Sequence, residues 1–336
     1  MPTTAASAGH ADSSLSIPGR PGQRITGPAN LIEGTVVHVS RTDCEADVNG
    51  NRVRFHILGG VIRAAGGKNP VRVGDHVRLT LHSGTIVLDK ILPRDSTLQR
   101  TTTAHGRTVR REVAANLALA VFVIPAVESN PAMRPRRLRL LDRMLVSAEY
   151  VDLPSVICLN KIDLLGDQQE LEAVIAPYRR AGYPVLRTCA LAGDGIEALR
   201  DALPAGLAAF VGPSGAGKTS LITALTGRHD LKTLAISSAT GKGRHATTST
   251  SAHELDDDRW VVDVPGLRSF GLDDVDPGDL AVCFVDFHEF LGECKNRWCT
   301  HMVEPGCAVR AAVDEGTIAA QRYESYRRLM VDAPRN

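Results

Sequence analysis

The chain has 336 residues and carries 39 Lys and Arg against 38 Asp and Glu, a net charge of +1; there is room for a catalytic core beside smaller modules, but no global charge that demands a polyanionic partner, so any nucleic-acid surface must be local. The longest apolar run, residues 117–127, is shorter than the roughly 20 residues a membrane-spanning helix needs, and the first residues lack the basic start and apolar stretch of a secretory leader. A soluble, cytoplasmic protein with no membrane partner is the expectation.

Residues 1–30 hold Pro, Gly, Ser, Thr and Ala with few large apolar side chains, too little to offset chain entropy, and read as a disordered tail. From 31 to 98 the pattern changes to short β-rich runs (34–39, 52–57, 76–81, 84–88) punctuated by Gly, Asn and Asp, which predicts a small all-β barrel or sandwich uninterrupted by a helix. From Ala114 apolar runs (118–124, 155–159) alternate with helical stretches such as 136–150, the signature of an α/β domain with a mostly parallel sheet, extending to about Leu272. A Cys/His segment follows, then a polar helical pattern over 317–330. The expected architecture is therefore multidomain, with a barrel at 31–98, an α/β domain at 99–272 and a C-terminal module at 273–336.

Gly212, Pro213, Ser214, Gly215, Ala216, Gly217, Lys218 and Thr219 fit G-x-x-x-x-G-K-[ST] in full, after the apolar run 207–211 and before the helical run from Ser220. The glycines let backbone N–H groups turn toward phosphate oxygens, a helix N-terminus adds positive dipole, and Lys218 supplies a cation to the β and γ phosphates. Thr219 is placed to ligate Mg²⁺. This loop alone selects no base.

Asn160, Lys161 and Asp163 form Asn-Lys-x-Asp at the end of a predicted strand, where ligands of open α/β sheets bind. Guanine presents N1–H and N2–H₂ as adjacent donors that the Asp163 carboxylate can accept together; adenine offers an acceptor there. Lys161 can lay its stem along the base, and Asn160 can tie this loop to the phosphate loop. In the segment 188–192 the N–H of Ala190 is a candidate donor to guanine O6, with Cys189 where a GTPase usually carries Ser. Asp263 and Gly266 belong to an Asp-x-x-Gly motif, Asp263 to hold Mg²⁺ through water and the Gly266 N–H to meet the γ-phosphate. Residues 239–250 are Gly-rich, hydroxylated and basic, a switch that would order when Thr247 or Thr248 reaches the metal. Leu267 cannot orient water, so either His245 or a partner must, and slow intrinsic hydrolysis is expected.

Cys294, Cys299, His301 and Cys307 give C-x4-C-x-H-x5-C, a ligand set for tetrahedral zinc with a structural role, all four positions being filled by protein. Cys44, Cys158, Cys189 and Cys283 lie in or beside apolar runs and read as buried small hydrophobes.

The base-reading motif precedes the phosphate loop, the reverse of the ordinary order. With a barrel before and a Cys/His module after, and with the stretches 93–100, 270–272, 304–309 and 322–326, the chain resembles the circularly permuted ribosome small-subunit-dependent GTPase A family over residues 31–332. The resemblance implies an OB-fold barrel, GTP hydrolysed to GDP, and docking on the 30S ribosomal subunit and its 16S rRNA during late maturation; a monomer is expected. Arg94, Arg100, Arg107, Arg110 and Arg111, and Arg134, Arg136, Arg137, Arg139 and Arg143, are clusters able to meet phosphates and equally what a solvated helix face looks like. Two other readings stay open: a zinc-stabilised RNA-binding scaffold in which nucleotide is structural, and a P-loop kinase or ATPase.

Overall fold

A computed structural model describes residues 15–18, 24–27, 31–40, 43–104, 107–127, 134–165, 168–228, 250–264 and 275–332. The chain divides into two compact units, Met1–Arg94 and Asp95–Asn336.

In the first unit, β1 (Leu15–Pro18) pairs antiparallel with β2 (Arg24–Gly27), so the region expected to be a featureless tail holds a short hairpin. Leu-Ser-Ile-Pro and Arg-Ile-Thr-Gly each alternate at period 2 over too few residues to register as strands, and backbone pairing does the rest. The barrel comprises β3 (Leu31–Val39), β4 (Asp43–Val48), β5 (Asn51–His56), β6 (His76–His82) and β7 (Thr85–Ile91) in the order β3-β4-β5-β7-β6, with β6 pairing back onto β3 to close it. That is a five-stranded, Greek-key, OB-like closure. β5 shows the cause: Asn51, Val53 and Phe55 point inward and are buried, while Arg52, Arg54 and His56 point outward. β4 escapes sequence reading because Asp43 and Glu45 interrupt its apolar positions; its inward residues Cys44, Ala46 and Val48 are small and buried. A six-residue helix, α1 (Gly59–Ala64), does interrupt the strands, with no buried residue of its own to announce it. Arg94 is not a free phosphate ligand: its guanidinium clasps fully buried Asp75 at 2.6 and 2.9 Å and also donates to Pro70 O.

In the second unit, the hairpin β8 (Thr97–Ala104) and β9 (Arg107–Ala115) leads into a sheet built from β10 (Leu117–Pro125), β11 (Ser155–Asn160), β12 (Val185–Thr188), β13 (Gly206–Val211), β14 (Thr250–Glu254) and β15 (Arg259–Asp263). The order is β12-β11-β10-β13-β15-β14, all parallel except β14. Its strands read as continuous apolar runs because both faces are covered: Val121, Val123, Cys158, Phe210 and Val261 pack with Leu199, Leu221 and Ile222. The last two belong to α5 (Lys218–Thr226), and Leu199 to α4 (Ile196–Asp201). Each such side chain contributes roughly 1.5–3 kcal/mol by leaving water. α2 (Arg134–Glu149) and α3 (Gln168–Arg180) follow β10 and β11. No helix among the described residues is long and apolar enough to cross a membrane.

The C-terminal segment carries a 3₁₀ turn (Val285–Phe290), α6 (Ala308–Asp314) and α7 (Ala320–Asp332). Phe284, Phe287, Val309, Tyr326 and Leu329 form its core, which Val146 of α2 joins. A buried ion network fastens the same elements. Arg322 of α7, fully buried, donates to Asp142 of α2 and Asp286 at 2.7 Å each, and its guanidinium stacks 4.7 Å from the Phe284 ring. Ser325 also donates to Asp142. The buried cation is thus paired and hydrogen-bonded on both arms, as burial requires.

Candidate nucleotide site and metal centre

Parallel register decides which residues meet. Asn160 ends β11 opposite Thr188, which ends β12; Val211 ends β13 opposite Phe122, and Asp263 ends β15 opposite Phe210. The base-reading motif, the loop after β12, the phosphate loop and the Asp-x-x-Gly aspartate therefore lie along one carboxyl edge of the sheet, where open α/β folds bind ligands.

Within the phosphate loop, Lys218 is buried and its Nζ donates to Gly212 O at 3.0 Å, folding the ammonium back over the loop it follows. Burial pushes its pKa below the ordinary lysine range, opposed by the Asp263 charge; a bound phosphate would favour the charged form further. Two glycines are required by contact. A Cβ at Gly212 would sit 2.1 Å from Val123 O, and one at Gly217 would sit 2.2 Å from Asn160 Nδ2, with Gly217 also at φ +94. At Gly215, φ +81, an added Cβ would meet nothing within 4 Å.

Asn160 is 1% exposed and joins three segments. Its Nδ2 donates to Ala216 O of the phosphate loop at 2.9 Å, while its Oδ1 accepts from the Ala190 N–H and the Thr188 hydroxyl at 3.3 Å each. The tie expected of Asn160 is thus made. Thr188, which also donates to Leu159 O at 3.3 Å, is a member that sequence reading missed, since a threonine ending a strand carries no signal of its own. The Ala190 amide, expected to serve a base, is engaged by Asn160 in this structure.

Lys161 adopts a left-handed conformation, φ 67, which turns the chain into a 3₁₀ turn at Ile162–Leu164. Its Cε lies 3.8 Å from where a Gly217 Cβ would be, so the stem runs beside the phosphate loop. The exposed Asp163 carboxylate accepts from the Cys189 thiol at 3.0 Å. Cys189 is buried as expected, and its donation to Asp163 makes it more than a packing residue. Cys44, Cys158 and Cys283 are buried, and burial pushes the Cys158 thiol up to about 12, leaving an unreactive group.

Thr219 donates to Asp263 Oδ2 at 2.7 Å, and Asp263 Oδ1 is buried with no hydrogen-bond partner among the described residues. A hydroxyl beside a carboxylate with one orphaned oxygen is a hard-oxygen donor set that suits Mg²⁺. His245, Thr247, Thr248, Gly266 and Leu267 lie outside the described residues.

The second cluster brings together Cys294, Cys299, His301 and Cys307, whose ligand atoms lie within 4.8 Å of one another. Cys294 Sγ is 3.9 Å from Cys307 Sγ, and His301 Nδ1 is 3.5 and 3.4 Å from those sulfurs. A tetrahedral ion with bonds of about 2.3 Å to sulfur and about 2.05 Å to nitrogen would separate these atoms by about 3.8 and about 3.5 Å. The cluster fits such an ion. Backbone amides of Ala308, His301 and Arg310 donate to Cys294, Cys299 and Cys307 at 3.3–3.4 Å, which favours thiolates. Glu304 organises the loop: its oxygens accept from the Thr300 amide and hydroxyl and from the Met302 and Val303 amides at 2.6–3.0 Å. Burial works against its charge, but these donors win and hold its carboxyl at about 2. Tyr326 and Tyr323 of α7 donate to Thr300 O and His301 O, each at 2.7 Å.

This geometry agrees with what the chain is similar to. A family model described as RsgA GTPase matches residues 91–273. A Small ribosomal subunit biogenesis GTPase RsgA from Gemmatimonas aurantiaca is 40% identical over 283 residues, covering 83% of this chain and 90% of the relative. Among solved structures, YjeQ from Thermotoga maritima aligns with TM-score 0.69 at 28% identity, over 90% of this chain and 98% of that one. YloQ, described as a circularly permuted GTPase, aligns with TM-score 0.66 at 25% identity, over 92% and 98%. With its motifs permuted, its site assembled along one sheet edge and these relatives spanning most of its length, the chain belongs to the RsgA GTPase family.

Proposed function

We propose that this GTPase docks on the small ribosomal subunit and assists its late maturation, with subunit binding stimulating hydrolysis of GTP to GDP and phosphate. The observation that carries the guanine-nucleotide part of the reading is Asn160, which joins the Asn-Lys-x-Asp strand, the Cys189–Ala190 loop and the phosphate loop in one set of hydrogen bonds. In hydrolysis a water oxygen attacks the γ-phosphorus, the bond to the β–γ bridging oxygen breaks, and GDP leaves. Gly212 to Ser220 cradle the phosphates, Lys218 balances charge gathering on the transferred group, Asp163 accepts from guanine, and Thr219 and Asp263 would hold Mg²⁺, which supplies charge neutralisation when bound. Gly266 and Thr247 or Thr248 are assigned as switch residues, with His245 or the subunit positioning water.

The chain is read as a tail at 1–30, an OB-like barrel at 31–98, the GTPase domain at 99–272 and a module at 273–336 that holds one structural zinc. It acts as a cytoplasmic monomer. Contact with 16S rRNA is supported by a groove of about 590 Å³ between α2 and α7, lined by Arg136, Arg139, Arg143, Arg327 and Arg328 together with Glu324 and Asp332. Four arginines within the first six residues of α2 oppose the helix dipole, a cost that bound phosphates would offset.

The test is GTP turnover by the full chain across a titration of small subunits. Turnover should be slow alone and rise steeply with subunits, and R136A/R139A should shift the titration to higher subunit concentration. A flat response would remove the GTPase reading of the docking and favour a zinc-stabilised scaffold in which nucleotide is structural.

A further inference from the structure

The metal loop presents to solvent two side chains that such a loop has no internal reason to expose. Trp298 is 80% and Val303 79% exposed, whereas the other tryptophan of the chain, Trp260, is 9% exposed in the central sheet. A wholly exposed indole leaves most of its large apolar face in water, which is uncommon for tryptophan.

The backbone that carries the indole is fixed. Trp298 sits beside the ligand Cys299, its backbone N–H donates to Asn296 Oδ1 at 2.9 Å, and the Cys299 N–H donates to Asn296 O at 3.2 Å. Across the loop, the Lys295 N–H donates to Gly306 O at 3.1 Å. The guanidinium of Arg297 lies 5.5 Å from the Trp298 ring centroid. Lys295 and Arg297 are exposed, and the loop's one carboxylate, Glu304, is occupied by four internal donors. The apex therefore offers a flat aromatic surface flanked by two exposed cations, with the exposed carboxylate of Glu293 just outside the loop.

We propose that Trp298 is a stacking platform for an unpaired base of ribosomal RNA, with Arg297 and Lys295 meeting the adjoining phosphates. The inference rests on docking to the small subunit and assigns one of its contacts. A base has a π-face whatever its identity, so stacking of this kind is tolerant of sequence, and a positive rim favours nucleic acid over an apolar protein surface. Because the backbone of Trp298 is fixed between Asn296 and the ligand Cys299, little backbone freedom remains to be lost on binding.

The experiment uses the full metal-loaded chain with a non-hydrolysable GTP analogue and small ribosomal subunits. W298A should bind subunits roughly 5- to 150-fold more weakly, the loss expected for one stacked base, while W298F retains binding within a few-fold. The difference in emission between wild type and W298F isolates the Trp298 signal, which should be quenched on subunit binding. Metal content and turnover without subunits should be unchanged in both variants. W298A binding as tightly as wild type would overturn the platform while leaving docking intact. A blue-shifted, unquenched Trp298 signal would assign the contact to a ribosomal protein and overturn the RNA assignment. Failure of the wild type to bind subunits would overturn docking and platform together.

Discussion

Gly217→Ala is predicted to damage nucleotide binding through one identifiable contact. The added Cβ would lie 2.2 Å from Asn160 Nδ2, and the backbone there is at φ +94. A left-handed conformation costs a residue with a side chain about 1–2 kcal/mol. Displacing Asn160 breaks its bond to Ala216 O, worth about 1–1.5 kcal/mol. The total, about 2–3.5 kcal/mol, corresponds to roughly 30- to 400-fold weaker binding if it falls on the nucleotide-bound loop. Gly215→Ala is the control, since φ is +81 but the new Cβ meets nothing within 4 Å; it should lose only the conformational part. Titration of a fluorescent GDP analogue, with thermal unfolding in parallel, measures both. The decisive arm is a double-mutant cycle. In an Asn160→Ala background the clash is gone, so Gly217→Ala should cost markedly less than in the native background. Equal losses for the two glycine variants, or strict additivity with Asn160→Ala, would refute the argument that the asparagine dictates glycine at 217.

Three further outcomes follow from named contacts. Asp163→Asn removes a carboxylate that guanine's two donors would share, so GTP affinity should fall roughly 100-fold or more with ATP affinity unchanged, measured by competition; unaltered GTP binding would remove the guanine assignment. Arg322→Met strands Asp142 in the interior and should cost about 3–5 kcal/mol at pH 7.5. Burial already raises the Asp142 pKa, and Arg322 holds it down; without Arg322 the folded protein binds a proton that the unfolded chain releases above about pH 4. Stability of the variant should thus fall as pH rises, and its deficit against wild type at the same pH should shrink at pH 5.5; a deficit independent of pH would contradict this. Removal of metal by a chelator should release one zinc per chain and lower the melting temperature by loosening residues 294–307, with nucleotide affinity retained within a few-fold; an unchanged melting temperature would argue against a structural ion.

Much of the site was legible in the chain because its chemistry is written in contiguous residues. A loop that must place N–H groups around phosphate needs glycines and a lysine at set spacing, as at 212–219, and three thiols with one imidazole within fourteen residues can gather by local turns alone. The barrel strands β3, β5, β6 and β7 announced themselves by alternation. What escaped was made by partners distant in sequence or by too few residues: the β1–β2 hairpin, β4 with its interrupting acids, α1, the role of Thr188, and the thiol donation from Cys189 to Asp163 across 26 positions.

The basic residues show the division most clearly. Sequence alone treats Arg94 and Arg136 as equivalent surface charges, but the tertiary structure sends Arg94 to buried Asp75 and leaves Arg136 lining an open groove. Arg322, in a polar helical pattern, reads as solvated; in the fold it is fully buried between two aspartates 180 and 36 positions away. The order of the motifs, the glycine and lysine spacing of 212–219, the Asn-Lys-x-Asp tetrapeptide and the Cys/His cluster are legible in the chain alone, since each depends on local spacing. Which charges are spent on internal pairs, which side chains stay exposed and how Asn160 joins three segments emerge in the fold, since they follow from strand register and from the cost of burying an unpaired polar group.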